Sequence, residues 1–140
     1  MSWSIPPTAF GDVVAEDHRQ LCTNVAFAID ARLVKASPVG DPSRWKNPKS
    51  APPGYVGGRF RGNWLPSIGS PRTDQVPIRS AAEDLAEAAE VFNAAPVFPV
   101  LYLANNLPYA VRLNEGHSGQ APAGFVEGAI DAVVAGAKAL

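Results

Sequence analysis

The stretch from Pro38 to Asp74 limits what this chain can fold into more than any other part of the sequence. It contains seven prolines and six glycines, which remove backbone hydrogen-bond donors and loosen the backbone. Regular structure can therefore occupy only a short piece, and we predict one strand near Phe60–Ile68, where the large side chains are apolar. A long stretch with little regular structure is usually functional or disordered. We interpret residues 38–74 as an arm.

A long helix is predicted before the arm, from about Thr8 to Ala36. Its apolar residues recur at three- and four-residue spacings, which places them along one stripe of a helix. They are Phe10, Val14, Leu21, Val25, Ala28, Ile29 and Leu33. Ser37 and Pro38 end the helix, because the residue before a proline avoids helical angles.

A second helix is predicted to begin at Ser80. Ser80 and Glu83 have the spacing of a capping box, and the helix ends before Pro96. The predicted buried stripe is Leu85, Ala86, Ala89 and Phe92, and the predicted outer face is Glu83, Asp84, Glu87 and Glu90. A strand follows at Val97–Ala104, in which Pro99 indicates an edge position or a bulge.

The last part of the chain is predicted to hold a turn, a short helical segment and a third long helix. The turn is Asn105–Pro108, and the helical segment runs through Tyr109–Glu115. Pro122 opens the C-terminal helix at the position that proline favours, and we expect Gln120 and Pro122 to set the start of that helix rather than touch a ligand. These elements predict a single α+β domain over residues 1–140, with three helices packed on a small antiparallel sheet and a long Pro/Gly-rich basic arm.

Cys22 and His18 are the strongest candidates for catalysis. They lie four residues apart on the first predicted helix, where a cysteine beside a histidine can form a thiolate nucleophile with its base. Nothing nearby in the sequence supplies an oxyanion hole, so a buried thiol beside a surface histidine is the better interpretation. His117 and Ser118 lack the context of a serine hydrolase. We therefore predict no catalytic residue and no enzymatic activity.

The sequence offers little for a cofactor, a metal or a membrane. One cysteine and two histidines cannot make a standard zinc site without several carboxylates, and no glycine motif for phosphates or dinucleotides is present. We predict no cofactor and no metal. Residues 1–10 lack the pattern of a secretory signal, and the longest apolar runs are too short to cross a bilayer, so no membrane partner is expected.

The basic residues are concentrated in the arm. Half of the twelve lysines and arginines fall between Pro42 and Thr73, where no acidic residue occurs. They are Arg44, Lys46, Lys49, Arg59, Arg61 and Arg72, and the aromatic residues among them are Trp45, Tyr55, Phe60 and Trp64. Arginine with aromatic side chains is common in protein–protein hot spots and also binds nucleic acid. We rank protein contact first, a solvated loop second and specific nucleic-acid binding third, with weak attraction to genomic DNA that passes close by.

Three segments of the sequence together resemble a family of phage proteins. They are residues 58–64 (GRFRGNW), 101–110 (LYLANNLPYA) and 113–125 (LNEGHSGQAPAGF). Their order and spacing are similar to those of neck, or tail-completion, proteins of long-tailed, siphovirus-type phages, a group related to the lambda minor tail protein Z family. The chain departs from that family in a longer proline-rich insert before Gly58 and in Phe125, where relatives often have methionine.

The resemblance implies a structural role in the virion. Neck proteins of this kind form a ring, expected to be sixfold, between the head connector or stopper protein and the tail terminator or tail tube. The chain would be made in the host cytoplasm and end in the neck of the particle. The residues expected at a subunit or partner interface are Arg44, Trp45, Lys46, Tyr55, Arg59, Arg61, Asn63, Trp64 and Glu115, and those expected to form the family turn are Asn105, Asn106, Pro108, Tyr109, Gln120 and Pro122. Trp64 fits the core of its own subunit equally well.

Three alternatives stay open at this point. A tail terminator is also a ring protein of the virion. A small cysteine-dependent hydrolase would use Cys22 and His18. A DNA-binding module would use the basic arm.

Overall fold

Helices and strands alternate along the chain in the computed structural model, which describes Ser4 and residues 6–138. The elements in order are α1 (Pro7–Ala36), β1 (Leu65–Ile68), α2 (Ala81–Asn93), β2 (Leu101–Ala104), α3 (Ala110–Asn114) and α4 (Phe125–Lys138). Three of these helices are long and α3 is a single turn, while β1 and β2 form one antiparallel sheet. The predicted α+β class is therefore confirmed.

The first helix, α1, ends at Ala36 because the next two residues cannot continue it. The Ser37 backbone N–H and hydroxyl both donate to the Leu33 carbonyl oxygen, at 2.9 and 2.6 Å, and Pro38 has no backbone N–H to donate. The predicted end of this helix is thus confirmed. Most of the buried side chains of α1 lie in its second half, whereas its first two turns are exposed.

The two strands are shorter than predicted. They pair so that Leu65 lies opposite Ala104. Residues 61–63 form a 3₁₀ turn instead of the beginning of β1. Phe98 has a φ of 51°, a left-handed conformation that a strand does not allow. Pro99 therefore precedes β2 instead of lying within it.

The main hydrophobic core lies where α1, α4 and the end of the arm meet. Its buried members are Leu33, Val34, Phe60, Trp64, Leu107, Ala121, Phe125 and Ala129. Because two large aromatic residues of the arm belong to this core, the arm is held to the body by the burial of apolar area, which contributes about 2 kcal/mol for each large side chain.

The start of α2 is formed by the predicted capping box. The Glu83 backbone N–H donates to the Ser80 hydroxyl at 3.1 Å, and the Ser80 backbone N–H donates to the Glu83 carboxylate at 2.7 Å. The buried face of α2 differs from the prediction, since it consists of Asp84, Ala88 and Phe92. The placement of Asp84 on the outer face was wrong, because its carboxylate turns inward.

The last helix, α4, begins three residues after the predicted opening at Pro122. Gly124 has a φ of 75°, and this left-handed conformation prevents helix from forming before Phe125. Asn114 then caps the helix from α3, since its side-chain oxygen accepts from the Val126 backbone N–H at 3.0 Å. Pro122 is exposed and lies in the loop before α4.

Two buried carboxyl groups join α1 to α2. Asp30 and Asp84 are both fully buried, and the Arg79 guanidinium lies 3.2 Å from Asp84 Oδ2. Burial and the adjacent Asp84 carboxylate raise the pKa of Asp30 to about 9. No described residue donates a hydrogen bond to either Asp30 oxygen or to Asp84 Oδ1. A proton on Asp30 makes it a donor to Asp84, so we infer that Asp30 is neutral and Asp84 is charged beside Arg79.

The buried acid pair predicts a stability that depends on pH. Folded Asp30 keeps its proton to about pH 9, whereas the unfolded side chain loses it near its ordinary pKa of 3.8. The stability that protonated Asp30 gives the folded state is therefore fully present below pH 3.8, and it is lost as the pH rises toward 9. The variant Asp30→Asn should raise the free energy of unfolding by on the order of 2 kcal/mol near pH 8, with a gain that shrinks toward pH 4.

Urea unfolding of the wild type and the variant at several pH values measures this gain. Asp12→Asn, an exposed carboxylate of α1, is the matched control and should change stability by less than about 0.5 kcal/mol. A destabilisation by Asp30→Asn that is the same at every pH would show that Asp30 is charged in the folded protein.

Candidate functional site

The arm divides into two parts with different surroundings. Phe60 and Trp64 are only 5% and 6% exposed, so the second part of the arm belongs to the body. Residues 41–56, which we call the outer loop, are mostly exposed, and their only regular structure is two single turns of 3₁₀ helix. The Pro/Gly-rich segment is therefore not the single extended limb that we expected over residues 38–74. The large apolar side chains near its end, Phe60 and Trp64, pack in the core and so bring the segment back to the body.

The two ends of the outer loop are held together. The backbone at Gly57 lies close to the backbone of residues 39 and 40. A Cβ atom at position 57 would lie 2.2 Å from the Val39 carbonyl oxygen and 2.4 Å from that of Gly40. The Gln120 side-chain oxygen accepts from the Val39 and Gly40 backbone N–H groups, each at 3.3 Å. Gln120 therefore ties the arm to the loop before α4. The prediction that it sets the start of that helix was wrong.

Phe60 is the meeting point of the three segments that carry the family resemblance. Its ring centroid lies 5.6 Å from that of Trp64, 6.4 Å from that of Tyr109 and 6.1 Å from that of Phe125. The Asn105 side-chain amide donates to the Phe60 carbonyl oxygen at 3.0 Å. Residues 58–64 thus pack against two later segments, 101–110 and 113–125, which adjoin each other in the sequence, around a single side chain.

Two of the predicted interface residues serve the chain's own fold. The Asn63 side-chain amide donates to the Arg59 and Val76 carbonyl oxygens at 2.7 and 3.1 Å, and its oxygen accepts from the Val76 N–H at 2.9 Å. The Trp64 indole N–H donates to the Ser37 hydroxyl at 2.8 Å. Both side chains are buried, so neither offers a surface to a neighbouring subunit. Trp64 belongs to the core of its own subunit, which was the second of the two predictions made for it.

A cleft of about 540 Å³ opens between the outer loop and the loop that follows α3. We call it the arm cleft. The predicted residues that line it are Arg44, Trp45, Lys46, Tyr55, Arg59, Tyr109 and Gln120. Trp45 and Tyr55 pack edge to face with ring centroids 5.1 Å apart, and burial raises the pKa of the Tyr109 phenol. The arm cleft therefore combines aromatic walls with three cationic side chains.

The charges of the arm cleft are not neutralised within the described part of the chain. Arg44, Lys46 and Arg59 form no salt bridge there, and Arg59 donates to the neutral Gln75 side chain at 3.0 Å. Ser43, and less strongly Arg44, lowers the pKa of the exposed Asp41 carboxylate at the start of the outer loop. Three cations near one peripheral carboxylate give the arm cleft a positive potential.

Arg72, although predicted as part of the basic arm, is neutralised inside the molecule. Its guanidinium lies 2.6 Å from Asp74 and 2.5 Å from Glu87, and Glu87 also binds Arg79. Arg61 is half-buried beside Gly58, and its Nε atom has no hydrogen-bond partner among the described residues. The basic character of the arm is therefore concentrated in the outer loop and Arg59.

The remaining predicted residues lie outside the arm cleft. The Asn106 side-chain amide donates to the Arg72 and Asp74 carbonyl oxygens, each at 2.9 Å, and so ties the turn to the end of the arm. Pro108 is exposed at the turn. Glu115 is exposed on a separate depression beside α3 and α4, so within one chain it does not meet the arginines of the arm.

Several residues of the arm cleft were missed by the sequence analysis. His117, Ser118 and Gly119 line it from the side opposite the outer loop. Their membership of the third resembling segment, 113–125, was the available signal, because a glycine-bounded loop between two helices is a frequent place for contact residues.

The candidate catalytic pair does come together in the structure. Cys22 Sγ lies 3.6 Å from His18 Nε2, and the His18 ring lies against Phe98 with centroids 5.4 Å apart. Both residues are in the middle of α1, where the backbone N–H groups are already bonded within the helix. No oxyanion donor is therefore provided by this helix. Within residues 6–138, no group of three metal-binding side chains could hold an ion.

No family model, no curated protein and no solved structure matches this chain. None of the described helices has both the length and the apolar character needed to cross a membrane. The three resembling segments and the geometry of the arm cleft are therefore the observations that bear on the function.

The hydrogen bonds from the arm backbone to Gln120 are predicted to keep the outer loop closed. Gln120→Ala removes two backbone hydrogen bonds, which together contribute about 2 kcal/mol. Amide hydrogen exchange in residues 39–57 should accelerate by up to about thirtyfold, as measured by mass spectrometry. Gln120→Glu keeps an oxygen acceptor and should retain most of the protection. Equal exchange in Gln120→Ala and the wild type would show that the outer loop is held closed by other contacts.

Proposed function

We propose that the protein is a structural component of a long-tailed phage particle, a neck or tail-completion protein that assembles into a ring and catalyses no reaction. The observation that carries this proposal is the convergence on Phe60 of the three segments that resemble neck proteins. The residues that carry the resemblance thus belong to one packed unit of the domain, which supports treating the three segments as one motif.

The surfaces of the chain favour assembly over catalysis. The outer loop and the first turns of α1 are exposed and carry aromatic and apolar residues, which in a working particle would be covered by neighbours. A ring of this chain would contact the head connector or stopper protein on one side and the tail terminator or tail tube on the other. The sixfold copy number and the location in the virion neck belong to this proposal.

Two of the three alternatives have one observation in their favour. The contact of Cys22 with His18 supports a hydrolase, but the pair lies on the surface of a helix and outside the arm cleft. The unpaired cations of the arm cleft support DNA binding. A tail terminator would also be a ring, so the exposed surfaces of this chain do not separate it from a neck protein, and its place in the particle does.

The proposed function predicts the phenotype of a phage that lacks this gene. Deletion should yield filled heads and complete tails that remain separate, and supplying the wild-type chain from a plasmid should restore joined particles. Electron microscopy of the lysate measures this directly. Joined, infectious particles without the protein contradict a neck role, whereas tails of uncontrolled length on the deletion background identify a tail terminator.

Substitution of Cys22 and His18 separates the proposed function from the hydrolase alternative, which needs both side chains. On the proposed function, Cys22→Ala and His18→Ala should each support particle assembly and infectivity within about threefold of the wild type. Plaque counts in the deletion background measure infectivity, and thermal unfolding checks that each variant is folded. A loss of infectivity by a folded Cys22→Ala variant contradicts a purely structural role.

A further inference from the structure

The first two turns of α1, residues 7–14, form an unpartnered apolar surface that we call the helix tip. Every residue of the helix tip is exposed except Ala9, which is half-buried. Phe10 is 58% exposed and Val14 is 47% exposed, and Val13 lies beside them. Side chains four positions apart lie on the same face of a helix. Phe10 and Val14 therefore form one apolar ridge without a cover in the described part of the chain.

The first part of α1, from the helix tip to residue 17, is acidic. Asp12, Glu16 and Asp17 precede the first basic residue of the helix, Arg19. Arg19 neutralises Glu16, with a nitrogen–oxygen distance of 2.7 Å. Asp12 and Asp17 form no salt bridge with any described residue. Asp17, three residues after Val14, lies on the same face as the apolar ridge, whereas Asp12 points to the opposite face of the helix. The ridge is thus bordered by one exposed carboxylate that has no cationic partner among the described residues.

The arm cleft has the complementary character. Its aromatic walls, Trp45, Tyr55 and Tyr109, suit aliphatic and aromatic side chains. Its cations, which include Arg44 and Lys46, form no salt bridge with any residue that the structure describes. Opposite potentials on two surfaces accelerate their association and fix their relative orientation.

The helix tip and the arm cleft lie at opposite ends of α1. The cleft is lined by Pro38 and the two residues after it, which follow the C-terminal end of the helix directly. From Phe10 to Pro38 an α-helical rise of 1.5 Å per residue gives a separation of about 40 Å. A rigid helix cannot bend through that distance, so the helix tip cannot enter the cleft of its own chain.

We propose that the helix tip of one copy docks in the arm cleft of the next copy. Phe10 and Val14 enter between the aromatic walls, and Asp17, which lies on the same helix face, is directed toward the cations of the outer loop. Two different surfaces meet in this contact, so it is heterologous and closes into a ring when the rotation between copies allows it. The inference rests on the proposed function for the ring, and it names the surfaces that build the ring.

Two complementary variants test the contact. The tip variant carries Phe10→Ser and Val14→Ser, and the cleft variant carries Trp45→Ala and Arg59→Glu. The changed residues of the tip are exposed, so folding should be unaffected, and circular dichroism with thermal unfolding checks this for both variants. Matched controls are Val111→Ser, an exposed apolar residue away from both surfaces, and Lys49→Glu, a cation of the outer loop that does not line the cleft.

The measurement is sedimentation velocity and native mass spectrometry of the full chain up to millimolar concentration. The wild type and both controls should form higher oligomers, and added salt should weaken them. Each variant alone should associate at least about tenfold more weakly. An equimolar mixture of the two variants should give a one-to-one heterodimer and nothing larger, because only one intact tip and one intact cleft are left to meet.

Three outcomes overturn the inference. They are oligomers of the tip or cleft variant that match the wild type, a wild type that stays monomeric at every concentration, and a cleft variant that loses affinity for duplex DNA while its oligomers are unchanged. The proposed function is judged separately by the deletion phenotype. Separate heads and tails in the deletion strain, together with normal oligomers of both variants, would leave the neck role standing and remove only this interface.

Discussion

The packing of Phe60 among three aromatic rings is the contact on which the rest of the structure depends. It draws the proline-rich arm back to the core, beside Trp64 and its hydrogen bond to Ser37. Since the chain leaves α1 at Ser37 and returns at Phe60, the residues between these two points must form a closed loop. The contacts of Gly57 and Gln120 then fix the mouth of that loop. The arm cleft is a consequence of this return, because its walls are the outer loop and the segment that packs under Phe60.

The polar contacts between α1 and α2 hold the body rigid behind the cleft. Asp30 and Asp84 share a buried site that ties the two helices together, and Arg79 carries the compensating charge. A buried acid pair is a costly way to join helices, since removing one partner leaves the other unpaired. It does, however, allow few alternative registers between the helices. A fixed α1 in turn fixes the distance between the helix tip and the arm cleft.

The sequence was sufficient to predict that each regular element exists, but not the length of the strands, the first residue of α4 or the path of the arm. Periodic apolar residues, the Ser80 capping box and the Ser37–Pro38 stop are local signals, and each predicted its element. The inward turn of Asp84 and the contact of Gln120 with Gly40 depend on residues that lie far away in the chain. Local patterns treat a charged residue on an amphipathic helix as exposed, so no such pattern could reveal a buried acid pair.

A map of the head–tail junction of the intact virion, at a resolution that separates helices, tests the central claim most directly. The account predicts a closed ring of this chain at the junction, in which the first two turns of each α1 lie against the outer loop of the adjoining subunit and its aromatic side chains. A junction built from other chains, or a ring in which that end of α1 and the cleft both face solvent, would contradict it.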